Sequence, residues 1–162
     1  AIFKINSSKA KTPQKQLFKP NHKAFTLPTL NSSWIEDAYD QMELLGFPLC
    51  NYFDLINEPI REHIKAKNMF QHRTKNVLLY GKLVNTRFHK GATGKLMRFC
   101  TFVDDEGCYF DTVHFHDTVE KYPIHGIGIY ACYGKITEEF DFCSVEIIWT
   151  QKMALKPDPR LN

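Results

Sequence analysis

LMRFCTFV-DDEG-CYFDTVHF, residues 96–115, is two runs of apolar, aromatic and β-branched residues parted by three acids and a glycine. Such runs suit strands, and Gly107 accepts the positive φ that a tight turn between them demands. The spacing therefore predicts a hairpin of strands 96–103 and 108–115. Alternation places Phe99 and Thr101 on one face and Cys100 and Phe102 on the other. Which face turns inward stays open, because one bulge shifts the phase.

Outward from that hairpin the same period continues. Residues 77–87 are apolar with Gly81 inside, the pattern of a long strand with a bend. Residues 88–95, Phe-His-Lys-Gly-Ala-Thr-Gly-Lys, form a Gly-rich basic loop. Downstream, 116–122 suits one or two helical turns closed by Pro123, and 126–136 and 142–149 are the last two strands, with Glu138-Glu-Phe-Asp141 between them. Five strands with a short helix between the third and fourth is the order of an OB-fold barrel. The alternatives are an SH3-like barrel, which lacks a helix at that point, and a split sheet of another kind.

The remainder divides into three parts. Residues 1–31 show neither helical nor alternating period and read as an extended basic linker. They hold six Lys and no acid, whereas 31–60 hold six acids and no Lys or Arg. Residues 32–70 form a helical connector. Ser33 and Glu36 make a capping box, Trp34, Ala38, Met42 and Leu45 share a face, and Gly46 and Pro48 end the helix. A second helix is expected near Asn57, with Pro59 in its first turn and Ile60 and Ile64 on one side. The barrel occupies 71–151, and 152–162 is a polar tail. The fold class is thus mainly β with α: a five-stranded OB-fold barrel preceded by a basic linker and two short helices.

Composition narrows the function. The net charge of +3 is too small to signal nucleic acid, so its distribution matters more. Five cysteines without C-x-x-C spacing read as reduced, mostly buried thiols of a cytoplasmic protein. No apolar run spans a bilayer, so no membrane partner is expected. No Walker loop, nucleophile elbow or H-E-x-x-H motif occurs, so no catalytic residue and no cofactor are assigned. His114-Phe-His116 could present two imidazoles to zinc, with Asp117 or His125 as a third ligand, but no second motif supports the site. No metal is assigned, and the two histidines are expected at the surface of a strand end. The acid pairs Asp104-Asp105 and Glu138-Glu139 fall in turns, where acids serve the backbone.

Binding residues are expected around the first loop. Lys90 and Lys95, flanked by Arg87 and Arg98, can neutralise phosphates, while Phe88, His89, Phe99, Tyr109 and Tyr80 offer rings on which bases stack. Separately, Gln14-Lys-Gln-Leu-Phe18 places Gln14 before an apolar pair, Leu17 and Phe18, the form of a short anchor for a partner's groove.

In order along the chain these segments resemble the C-terminal region of the bacterial DNA polymerase III alpha subunit family. Gln14-Lys-Gln-Leu-Phe18 resembles its sliding-clamp-binding pentapeptide. Trp34-Ile-Glu-Asp-Ala and Glu43-Leu-Leu-Gly-Phe47 resemble its helix and E-x-L-G-F phrase. Gly94-Lys-Leu-Met-Arg-Phe-Cys-Thr101, the acidic turn and Val113-His-Phe115 resemble its OB domain. The resemblance spans about residues 14–149. It implies a template-strand-binding, clamp-tethered and non-catalytic fragment, monomeric by itself, with single-stranded DNA, the sliding clamp and other replisome subunits as partners. The polymerase carboxylates would lie upstream. Pro48-Leu-Cys-Asn-Tyr-Phe-Asp54 departs from the family's Ser-Gly-His-Pro phrase, and the third strand is one residue longer, the marks of a divergent branch. A protein-docking module of the replisome, and an RNA-binding OB domain of a tRNA-handling enzyme, are the alternative readings.

Overall fold

The computed structural model describes residues 26, 31–91 and 94–161. It divides the chain into 1–31 and Ser32–Asn162, and the description concerns the second unit. Helix α1, Trp34–Leu45, starts at Ser33, whose hydroxyl accepts from the Glu36 amide while the Glu36 carboxylate accepts from the Ser33 amide. It ends at Gly46, φ 83°, a left-handed position that a glycine takes without the clash a Cβ brings. The expected apolar face is only partly covered: Ala38 is buried, but Trp34 and Leu45 remain exposed.

No helix forms near Asn57. The Asn57 amide donates to the Ala154 carbonyl and the Ile64 amide to the Leu78 carbonyl. The Ile64 amide is thus spent on a tertiary partner where a helix begun near Asn57 would have bonded it four residues back, while the Asn57 amide, unpaired in any such first turn, is taken by the tail. Helical turns appear on either side instead, as 3-10 segments Tyr52–Leu55 and Ala66–His72.

Five strands follow: β1 Asn76–Lys90, β2 Leu96–Val103, β3 Tyr109–His114, β4 Ile129–Glu139 and β5 Phe142–Lys152. The short helix α2, His116–Lys121, joins β3 to β4. The strands close in the order β1-β2-β3-β5-β4, with β1 bonded to β4 and β3 parallel to β5. β1 runs three residues beyond the expected strand end, so Phe88, His89 and Lys90 belong to a β1–β2 arm rather than to a loop.

Inward residues alternate along the strands, interrupted by register shifts between Leu83 and Asn85 and between Tyr133 and Gly134. Leu79, Phe102, Tyr130, Ile136 and Val145 are each almost fully buried. Each side chain so buried contributes roughly 1.5–3 kcal/mol through removal of apolar surface from water. The rings of Phe102 and Phe110 stack with centroids 5.5 Å apart. Gly81 lets β1 bend over them: a Cβ there would stand 2.7 Å from Phe102 Cβ and from the Phe110 ring.

The connector covers the outer face of β1 and β4, where Ile56, Tyr80, Ile129, Ala131 and Met153 form a second cluster. The tail folds back onto the same connector. Leu155 bridges Ile56, the Tyr39 hydroxyl donates to the Lys156 carbonyl at 2.6 Å, and Arg160 pairs with Asp40 and Asp158. The Asp104 carboxylate accepts from the amides of Ala66, Glu106 and Cys108, at 3.0, 3.0 and 2.8 Å. It therefore holds its own turn and the first residue of the second 3-10 segment, the backbone role expected of it.

Candidate nucleic-acid interface

A bulge between Leu83 and Asn85 sets the phase of the β1–β2 arm. Before it, Leu83 faces the core opposite Phe102. After it, Asn85 and Arg87 face out, opposite Thr101 and Phe99. On this outer face the His89 and Phe99 rings meet edge to face at 6.5 Å. Across β3 and β5 the face continues through Asp111, Val113 and Ser144 to Phe142 and Glu139. Together these residues line a groove of about 590 Å³, with Phe88 also at its wall. It lies between the β1–β2 arm and the β4–β5 hairpin.

The eight DNA-binding residues expected from sequence do not form one set. Arg87, His89 and Phe99 gather in the groove. Lys90 and Lys95 are exposed near the tip of the arm, where the Gly91 amide closes the turn onto the Lys95 carbonyl. Arg98 turns the other way. It pairs with His114 on β3, its guanidinium lies 4.2 Å over the Phe88 ring, and one Nη donates to the Ile124 carbonyl at 3.3 Å. Being one residue from Phe99 in a strand, it takes the opposite face. Tyr109 is exposed at the start of β3 and does not line the groove, and Tyr80 is buried beneath the connector, with its hydroxyl accepting from the Arg61 amide. Gln14, Leu17 and Phe18 lie outside the described residues.

One groove aromatic, Phe142, was missed, and so was Phe140, an exposed ring two residues before it that does not line the groove. The β4–β5 turn has only two residues, Phe140 and Asp141, at φ 50° and 61°. Asp tolerates that region, but Phe is costly there. The Phe140 side chain is wholly solvent-exposed, and Phe142 is 62% exposed. Neither turn propensity nor core packing accounts for Phe140. A phenylalanine amid acids at a predicted turn was the available signal.

His114 corrects another expectation. It is fully buried, not a surface residue. The Thr112 hydroxyl donates to the Cys100 carbonyl, so the neutral imidazole donates its Nε2–H to Thr112 Oγ1, at 3.0 Å. Nδ1 has no partner among the described residues, nor has Arg98 Nε. Burial, then the Arg98 charge, lowers the His114 pKa to about 4. His116 is instead paired with Glu120 on α2, and no cluster of metal-ligating side chains occurs among the described residues. All five cysteines are free, and burial pushes the Cys132 thiol up to about 12. No helix among the described residues is long and apolar enough to cross a membrane.

Closed five-stranded order, parallel β3–β5 closure and a helix between β3 and β4 together define an OB-type barrel. No protein-family model matches the sequence, and no curated protein matches it. Among solved structures the chain is similar to the protein PriB from Ralstonia solanacearum, with 11% identity and a TM-score of 0.39 over 48% of this chain and 95% of that one.

Proposed function

We propose that the barrel binds single-stranded DNA and performs no chemistry of its own, as part of a DNA polymerase III alpha-like subunit acting in replication or repair. One observation carries the binding reading: an open groove on the outer sheet face has Arg87 and His89 on one wall and Phe99 and Phe142 as exposed rings. The Arg87 guanidinium on that wall can neutralise a phosphate, and each ring stacks a base for roughly 1–3 kcal/mol. The polymerase context rests on the ordered motifs of the sequence, including the pentapeptide at Gln14–Phe18.

Fluorescence anisotropy with a short single strand, titrated with salt, tests it. Affinity is expected to fall steeply with salt, because phosphate contacts release counterions. Phe99→Ala is expected to weaken binding roughly 5- to 100-fold. Binding indifferent to both salt and Phe99→Ala removes the reading. A docking role has one observation in its favour, the exposed Leu44, Leu45, Phe47 and Leu49 at the end of α1. A protein partner retained at high salt and lost on Leu44→Asp would assign that role to α1.

A further inference from the structure

The groove is chemically lopsided, which bears on what lies in it. Arg87 and His89 line the groove from the β1–β2 arm, with Lys90 and Lys95 at the tip of that arm, whereas Glu139 lines it from the β4–β5 hairpin, whose turn holds Asp141. A polyanion in the groove would lie along the first wall and be repelled by the second, with its bases directed across the floor toward β5. Asn85, Thr101, Asp111 and Ser144 stand side by side on successive strands there. Thr101 has committed its hydroxyl proton to Asp111, at 2.6 Å. Asn85 accepts the Thr86 amide on Oδ1, at 2.9 Å, which leaves its NH2 to donate. The floor thus offers a donor near β1 and a carboxylate, able only to accept, near β5.

Resting on the single-strand reading of this same groove, we infer that Asp111 selects bases carrying an exocyclic amino group, cytosine over thymine. The cytosine edge runs from the N4 amino donor to the N3 and O2 acceptors, which matches Asp111 followed by Asn85. Thymine presents O4 to the carboxylate, and its one imino N–H sits between two carbonyl oxygens. The comparison needs no variant. Oligomers of 5-methyl-deoxycytidine and thymidine differ only in the C4 substituent and N3 protonation. At fixed salt, the 5-methyl-deoxycytidine strand is expected to bind about tenfold more tightly. Asp111→Asn supplies both a donor and an acceptor and is expected to bring the two strands to within about twofold. Equal affinity of the unaltered protein for both strands, or a preference that survives Asp111→Asn, overturns the inference and leaves the binding reading standing. Binding of neither strand overturns both.

Discussion

His114 makes the barrel acid-sensitive over a defined window. Its side chain is buried beside Arg98, and its pKa falls from 6.5 to about 4 on folding. Because the folded state resists protonation, the unfolded chain binds the extra proton between those values, and stability falls as the medium is acidified. The contribution is full above about pH 6.5, declines through the window and levels off below about pH 4. At about 1.4 kcal/mol per unit, the whole shift is worth about 3 kcal/mol, of which about 2 is lost between about pH 7.5 and about pH 5. Urea unfolding of the wild type and His114→Gln at successive pH values measures this. The difference between the two profiles is expected to slope by about 2 kcal/mol in that range. Parallel profiles, or an imidazole NMR titration of His114 centred above about pH 6, would refute the burial argument.

Arg98 and Arg87 should part company in experiment. Arg98→Ala is expected to raise the His114 pKa, because a repelling charge is gone, and to lower stability by roughly 1–2 kcal/mol through the lost stack on Phe88. Denaturation and NMR titration check both. Arg87→Ala is expected to leave stability within about 0.5 kcal/mol and to reduce the salt slope of oligonucleotide binding by about 1. Gly81→Ala is expected to cost about 1–3 kcal/mol, since the added methyl meets Phe102 and Phe110 at 2.7 Å; an unchanged denaturation midpoint would show that β1 yields there. Leu17→Ala with Phe18→Ala is expected to abolish capture by an immobilised sliding clamp while single-strand affinity stays unchanged.

Local signals account for what was legible. Strand β2 has the bounds its residue types predict, Gly107 takes φ 83° in the expected turn, and Ser33, Glu36 and Gly46 frame α1 as their spacing requires. Each involves residues within a few positions of one another. The expected helix near Asn57 did not form, and the Ile64 amide that it would have bonded four residues back is held instead by the Leu78 carbonyl on β1. Of the proposed binding residues, Arg87 and Arg98 looked equivalent as cations flanking one loop, yet they occupy opposite faces of the same arm.

The sequence by itself determined the alternation, the turns and the order of five strands around a short helix, because these follow from backbone sterics and from short-range periodicity. Only the tertiary structure decided the phase of β1, which a one-residue bulge sets, and the closure of β3 on β5. That closure carries Ser144 and Phe142 to the side of Asp111 across some thirty residues of chain. No local period encodes a side-by-side pairing at such a separation, so the floor of the groove came into view only with the closed barrel.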